Sequence, residues 1–247
     1  MTDPKLTHDL AEHAEQATTQ LLPFRIRIAS SDDDIRRAVA VRTQAYGRHV
    51  PGMEEVLKDP EPDDDRDDAV VLIAESKEDG QVLGSMRVIT NALHPLHLEH
   101  ELALPAALQG RKLAEAWRLT VLNSEPARMV APALYKSLYQ MCVCSSVDYV
   151  LVAARPPVNR IYRAMQFKDA LNGGKFALSN TLNIPHGLYY LPTREAFTLW
   201  RTAKWPLYPF MALTCHPDIE IDFDVVRRRF QSLPAMNGGA IHSNLTI

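Results

Sequence analysis

The spacing of hydrophobic residues changes repeatedly along the chain, from the two-residue period of strands to the longer period of helices. Residues 24–28 alternate apolar and charged side chains and predict a strand. A helix is predicted to follow and to run to Tyr46. Ser30 or Ser31 can cap this helix, and acidic residues fill its first turn. Residues 59–68 contain two prolines and six aspartates, a composition that predicts an exposed, irregular loop.

Strands and helices continue to follow one another along the rest of the chain. A polar turn at 77–80 lies between two apolar runs and predicts a β-hairpin. Strands are predicted at 70–75, 82–90, 113–121, 149–153 and 187–191, and helices at 131–147, 158–165 and 193–201. The order β-α-β-β-β-α-β-α indicates an α+β domain. We assign this domain to residues 23–222, with a polar appendage at 1–22 and a tail at 223–247.

Composition narrows the classes of function. The chain has 247 residues, of which 46% are hydrophobic, so it can bury a full core. Its net charge of −3 provides no general attraction for a phosphate backbone, which argues against nucleic acid as a partner. Three cysteines without zinc-type spacing, and no long apolar run, predict a cytoplasmic protein without integral membrane contact.

Several short motifs occur in a characteristic order. The strand that begins at Tyr149 is followed by Asn159 and by a segment from Tyr162 to Phe167, in which Gln166 precedes the phenylalanine. Upstream of it are Arg42-x-x-x-Tyr46, the aspartate pairs Asp64/Asp67 and Asp65/Asp68, Gly84-x-x-Arg87 and Glu115-x-x-Arg118.

With the element order, these motifs resemble the GNAT acyltransferases, and specifically the bacterial N-acyl amino acid synthases and the related acyl-homoserine lactone synthases. The resemblance covers about residues 24–222. It implies a GNAT fold, with a central mixed, mostly antiparallel sheet flanked by helices. In the family signature a glycine usually stands where this chain has Gln166.

The resemblance also implies roles for the motif residues. Backbone N–H groups of strand 113–121, where it parts from strand 149–153, would polarise the thioester carbonyl. Tyr162 would protonate the departing thiolate, although it could simply pack its ring under the strand ends. Glu115 and Arg118 would act as an organising pair if a bulge turned both towards one cavity; otherwise they are outward charges or an ordinary ion pair.

The acceptor pocket would take residues from several motifs. We expect substrate binding by Arg42, Tyr46, Asp65, Asp68, Arg87 and His186. One carboxylate would receive the amine of an amino acid and one arginine its carboxylate. A solvated acidic loop and a core histidine remain alternatives for the aspartates and His186. His94, His97 and His100 are spaced around prolines as in a loop, and we predict no metal site.

The acyl donor is expected to be an acyl carrier protein, with its phosphopantetheine thioester as co-substrate and no separate cofactor. In the position of the family's glycine-rich pyrophosphate loop the chain has Ala131 and Pro132, which offer fewer bare N–H groups. Four cations are expected to meet the acidic carrier unless they are ordinary solvated surface: Arg111, Lys112, Arg128 and Lys136.

The expected activity is the transfer of a fatty acyl group to the α-amine of an amino acid. Three alternatives stay open: an acyl-homoserine lactone synthase, an acyl-CoA-dependent N-acetyltransferase, and a non-catalytic module that binds acyl carriers.

Overall fold

A computed structural model describes residues 18–231, so residues 1–17 of the predicted appendage and 232–247 of the predicted tail lie outside the described residues. The strands are β1 (Thr18–Thr19), β2 (Phe24–Ile28), β3 (Ala69–Ser76), β4 (Val82–Thr90), β5 (Leu113–Val121), β6 (Tyr149–Ala154), β7 (Lys168–Asp169), β8 (Phe176–Leu178), β9 (Ile184–Pro192), β10 (Thr214–Cys215) and β11 (Ile219–Glu220). The α-helices are α1 (Asp32–Gly47), α2 (Met53–Val56), α3 (His97–Glu101), α4 (Val130–Cys144), α5 (Asn159–Ala164), α6 (Ala196–Thr202) and α7 (Phe223–Arg229).

The main sheet has the strand order β11-β2-β3-β4-β5-β6-β9-β7, and β8 adds to β9. Neighbours from β2 to β5 are antiparallel, as are β6 and β9, whereas β5 and β6 run parallel. Helices pack on both sides of this sheet. The predicted fold, a mixed and mostly antiparallel sheet flanked by helices, is therefore confirmed.

The two faces of the sheet differ in what covers them. We call one the α1 face, because Ala38 and Val41 of α1 pack on Val71 of β3 there. The other is the α4 face, where α4, α6 and α7 close the largest apolar core. Side chains alternate along β5, so Ala114 joins the α4 face. Glu115 belongs to the α1 face, where its carboxylate accepts a hydrogen bond from the start of α3.

Strands β5 and β6 separate along most of their length. Their pairing is limited to Leu113 with Tyr149, Ala114 with Val150, and Glu115 with Leu151. Beyond Glu115, the backbone groups of β5 that point towards β6 have no ladder partner in that strand. The splay predicted between these two strands is confirmed.

A bulge interrupts β5 where the splay begins. Ser85 pairs with Thr120 while Arg87 pairs with Trp117, so β5 contains one more residue than β4 in this interval. Arg118 has a φ of 54°, in the left-handed region that a β-branched or long side chain seldom adopts. The extra residue changes the phase of the strand, and Trp117 and Arg118 both reach the α1 face.

The first residue of the Gly84-x-x-Arg87 motif is glycine for a steric reason. A Cβ at this position would lie 2.6 Å from the carbonyl oxygen of Thr120 and 2.7 Å from Cγ1 of Val130. Glycine therefore lets β4, β5 and the start of α4 approach one another closely. Gln166 has a φ of 65°, so it adopts the conformation that the usual glycine of the family signature would favour.

The packed core extends past the predicted domain limits in both directions. Leu22 is buried near the N-terminal end, and Val226 and Phe230 of the α7 region are completely buried. Helix α4 ends at Cys144, three residues before the predicted 147, because Ser146 takes a left-handed conformation. No helix within residues 18–231 has the length and apolar character to cross a membrane.

Candidate active site

Three arginines and two acids form a buried charged cluster on the α1 face, next to the β5 bulge. We call Arg42, Glu61, Asp64, Arg87 and Arg118 the arginine cluster. Arg42 donates two hydrogen bonds to Asp64, at 2.9 and 3.0 Å, and Arg87 adds a third at 3.0 Å. Arg118 binds Glu61 in the same bidentate way, at 2.9 and 2.6 Å. Paired geometry of this kind fixes both orientation and charge.

The arginines hold the acids of the cluster in their charged form. Burial opposes ionisation of Glu61 and Asp64, but hydrogen bonds and charges from the arginines outweigh it, so both pKa values are lowered. Arg87 also forms an ion pair of 3.6 Å with Asp63, so three carboxylates face the three guanidinium groups. The Nε atoms of Arg42 and Arg87, and Nη2 of Arg87, have no hydrogen-bond partner among the described residues.

A 3-10 turn at Pro62–Asp65 decides which acidic residue enters the cluster. Asp64 Oδ2 accepts a bond from the backbone N–H of Glu61 at 2.9 Å, which closes the turn and directs Asp64 inward. Asp65, the predicted substrate ligand, is exposed and makes no hydrogen bond or ion pair within residues 18–231. Its placement in the pocket is wrong, because the turn rotates it to solvent.

Asp68 is buried but lies outside the arginine cluster. Its carboxylate accepts bonds from Arg66 at 2.8 and 2.9 Å and from the backbone of Leu93 and His94. These contacts hold the loop after β4, so the structure gives Asp68 a structural role rather than the predicted one. Glu61 was not predicted, and its partner Arg118 lies 57 residues away in sequence.

Glu115 is fully buried a few residues before Arg118 on the same face. Its Oε2 accepts a bond of 3.1 Å from the backbone N–H of Leu98, and its Oε1 has no hydrogen-bond partner in the described range. Burial raises the pKa of this carboxyl to about 8, against the opposing Leu98 bond and the charge of Arg87. Glu115 and Arg118 share a face, as expected from a bulge, but each binds a different partner.

Aromatic rings enclose the Arg118 guanidinium. Its carbon lies 5.5 Å from the centre of the Tyr46 ring and 5.1 Å from that of Trp117. The same guanidinium donates to the carbonyl of Asn180 at 3.2 Å. Tyr46 thus joins the predicted site through Arg118, and Trp117 is an additional residue that the motifs did not indicate.

Tyr162 lies on the opposite side of the splay, in α5. Its ring packs edge-on against Tyr135 of α4 and against Phe167. Burial, followed by the charge and hydrogen bond of Tyr135, raises its pKa well above the usual value. Tyr46 contributes to the same increase. Tyr162 is therefore a protonated phenol at neutral pH.

His186, which is buried, and His97, which is half-buried, differ in their surroundings. His186 lies in β9, where its Nδ1 is 2.7 Å from the carbonyl of Ile184, and burial lowers its pKa. Within residues 18–231, His186 makes no hydrogen bond or ion pair with a residue of the arginine cluster. His97 begins α3 and stacks on Trp117 with 5.2 Å between ring centres. Residues 18–231 contain no group of three His, Cys, Asp or Glu side chains placed to hold a metal.

The four cations expected to meet the carrier differ in their accessibility. Lys136 is buried, and its ammonium donates to the carbonyls of Phe210 and Thr214. The prediction for Lys136 is therefore wrong. Lys112 donates to Ser145, just after α4, whereas the exposed Arg128 precedes that helix. The 15 residues of α4 separate these ends by about 22 Å.

Comparison with known proteins agrees with this geometry. The family model for the N-acyl amino acid synthase FeeM matches residues 37–176, more than half of the chain. The structure of FeeM from uncultured soil microbes is similar, with a TM-score of 0.55, 15% identity, and coverage of 72% of this chain and 96% of that one. A search of curated proteins finds no match.

A second solved structure has the same fold. It is BjaI, a CoA-dependent acyl-homoserine lactone synthase with SAM and isopentyl-CoA, at a TM-score of 0.52 and 14% identity. The alignment covers 83% of this chain and 98% of BjaI. At these identities the structural similarity establishes the fold, and the family match adds the activity class. The chain is an N-acyltransferase of the GNAT fold and belongs to the FeeM family of N-acyl amino acid synthases.

Proposed function

We propose that this enzyme transfers a fatty acyl group from an acyl carrier protein to the α-amine of an amino acid. The observation that carries the proposal is the arginine cluster beside the splay. Three of its guanidinium nitrogens have no hydrogen-bond partner among the described residues, which suits a carboxylate such as that of an amino acid. FeeM, which is similar in sequence and fold, is described as an N-acyl amino acid synthase.

The splay supplies a place for the thioester. An acyl-phosphopantetheine arm that enters between β5 and β6 meets backbone N–H groups of β5 that lack ladder partners in β6. Such donors stabilise the oxyanion that forms when the amine attacks the carbonyl carbon. The C–S bond then breaks, and Tyr162 gives its proton to the leaving sulfur. The arm is a co-substrate in this scheme, which requires no separate cofactor.

The start of α4 favours a carrier protein over coenzyme A. Pro132 lies in the first turn of α4 and has no N–H, and Ala131 carries a methyl group where glycine would allow close approach. A pyrophosphate would find few donors here, whereas the single phosphodiester of a pantetheine arm needs fewer.

A basic and apolar surface around α5 is the better docking site for the carrier. Val158 and Ile161 are 44% and 51% exposed, and their spacing places them on one side of the helix. Residues 149–168 contain no acidic residue but contain four cations: Arg155, Arg160, Arg163 and Lys168. Arg163 is paired with Asp169 at 3.2 Å, so Arg155, Arg160 and Lys168 carry the basic character of this surface. Acyl carrier proteins present acidic helices, so this surface at the end of β6 offers charge and apolar complementarity.

The experiment compares hexadecanoyl-carrier protein with hexadecanoyl-CoA, using a mixture of the common amino acids as acceptors. We expect amide-linked products by mass spectrometry and a much higher kcat/KM with the carrier protein. Arg160→Glu should lower only the carrier-dependent rate, about fivefold to tenfold, and salt should reduce the wild-type advantage. Arg201→Glu, an exposed reversal on α6, is the matched control.

Each alternative outcome has a clear meaning. Equal or better turnover of hexadecanoyl-CoA would overturn the proposed donor. A product whose mass requires S-adenosylmethionine and matches a lactone would overturn the proposed acceptor. Binding of the carrier without any acyl transfer would overturn the enzymatic reaction itself.

A further inference from the structure

His97 occupies a defined position between the arginine cluster and the start of the splay. Its ring stacks on Trp117, two residues beyond the last β5 residue that pairs with β6. Trp117 also contacts the Arg118 guanidinium, at 5.1 Å. His97 is thus one ring away from the backbone that would hold the thioester.

Three buried polar atoms on this part of the α1 face have no hydrogen-bond partner among the described residues. They are Nδ1 of His97, Nε1 of Trp117 and Oε1 of Glu115. An unsatisfied buried polar atom destabilises the folded state, so a cluster of three is unusual in a face devoted only to packing. A bound acceptor with its own donors and acceptors would satisfy them.

Glu101 determines which nitrogen of His97 carries hydrogen. Nε2 of His97 lies 3.5 Å from Oε1 of Glu101, one turn later on α3. Glu101 is itself held by the hydroxyl and the backbone N–H of Ser179. A carboxylate beside Nε2 favours a hydrogen on that nitrogen, which leaves the lone pair on Nδ1. The unpartnered atom is therefore the basic one.

The charges around His97 keep its ring neutral. Burial lowers its pKa, Glu101 and Asp63 oppose this, and Arg118 and Arg87 reinforce it, with the net result below the usual value. Glu115 also belongs to this face and carries no charge while its carboxyl is protonated. A neutral imidazole with a free lone pair can accept a proton at physiological pH.

We propose that His97 is the general base that removes a proton from the acceptor's ammonium group. This step rests on the proposed function. The ammonium gives one proton to Nδ1 of His97, and the freed nitrogen pair bonds to the thioester carbon. The C–S bond then breaks and sulfur takes the proton of Tyr162. The nitrogen returns its surplus proton to that phenolate, and His97 releases its own proton to solvent.

The test is the pH dependence of kcat/KM in the full chain, with hexadecanoyl-carrier protein and the amino acid that wild type acylates fastest from the mixture. His97→Gln should lose about 100-fold near pH 7. The loss should shrink as pH rises towards the pKa of the amine, because the substrate then arrives neutral. Added imidazole should restore part of the rate. His100→Gln, an exposed histidine of the same helix, should match wild type throughout.

Glu101→Gln gives a second measurement that does not remove the ring. It should lower the rate about tenfold near pH 7, because an amide no longer selects the tautomer with hydrogen on Nε2. A His97→Gln loss that is equal at every pH would overturn the proposal, even if folding is intact. If wild type forms no amide with any donor, the proposed function itself fails, which is a separate and recognisable result.

Discussion

Strand β5 has two faces that differ sharply in composition. On the α4 face, Ala114 and Ala116 pack into an apolar core whose polar groups near the splay are the two phenols of Tyr135 and Tyr162. On the α1 face, Glu115, Trp117 and Arg118 meet acids, arginines and histidine. One strand thereby separates an apolar region, suited to an acyl chain, from a charged region suited to an amino acid.

This difference shows why the bulge and the splay occur together. Two reactants bound on opposite faces of an intact sheet could not react, because the paired backbone would lie between them. Pairing of β5 with β6 stops at Glu115, and the bulge follows at Arg118. The two environments therefore meet where backbone groups of β5 lack ladder partners in β6, the position that the proposed function gives to the thioester carbonyl.

The largest effect on activity should follow from substitution of Arg118 on the α1 face. Arg118→Ala leaves Glu61 buried without its bidentate partner, and we expect a loss of about 1000-fold in kcat/KM, with a loss of about 3 kcal/mol in stability. Arg118→Lys, which keeps the charge, should lie between this variant and wild type. Steady-state rates and urea unfolding measure both quantities. Unchanged kcat/KM with a lower Tm would make the pair merely structural. Arg201→Ala, at an exposed position of α6, is the control.

A smaller effect is expected on stability, where substitutions of the neighbouring Asp64 and Asp65 should differ. Asp64→Asn should lower the free energy of unfolding by about 3 kcal/mol near pH 7, because Arg42 and Arg87 lose their common acceptor. Asp65→Asn, at an exposed position, should change it by less than about 0.5 kcal/mol.

The effect of Asp64 should also depend on pH. Its pKa is lowered in the folded state, so its stabilisation is present above the unfolded value of 3.8 and is lost as pH falls through the folded pKa. The difference between wild type and Asp64→Asn should therefore narrow in acid. Equal stabilities of the two variants at neutral pH would contradict the inward placement of Asp64.

The smallest effect concerns the α4 face. Tyr162→Phe should lower kcat about tenfold while leaving the binding of the acyl donor nearly unchanged, because only the proton for the thiolate is removed. Pre-steady-state thiol release, compared with donor affinity, measures this. Tyr190→Phe is a control on β9 that leaves the splay intact. If Tyr162→Phe keeps the wild-type kcat, Tyr162 has no part in the chemistry.

Local pattern predicted most of the fold and only part of the site. The alternation in 24–28, the hairpin from β3 to β4 and the strand at 113–121 are confirmed, because each depends on neighbouring residues. Glu61 was missed as a member of the arginine cluster because its significance depends on a distant partner. Arg118 and Glu61 are 57 positions apart in sequence, so a pattern of neighbouring residues cannot predict their contact.

Lys136 illustrates the opposite error. It lies in an amphipathic helix and looks like a surface cation in sequence. The carbonyls of Phe210 and Thr214, 74 and 78 positions later, cover it. Burial lowers its pKa to about 8. The prediction for Asp65 is wrong for a more local reason. The 3-10 turn directs the side chain of Asp64 inward instead. A run of three aspartates in the sequence does not show which of them the turn will direct inward.

The left-handed backbone of Arg118 has a consequence for how this enzyme can change under selection. A long side chain in that conformation costs about 1 kcal/mol relative to glycine, so substitution by glycine or asparagine would favour the backbone. The same substitution would remove the guanidinium that orders Glu61 and contacts two rings. Because loss of the Arg118–Glu61 pair is expected to cost about 3 kcal/mol, the relief of the backbone does not offset it, and selection for thermal tolerance should retain arginine at this position.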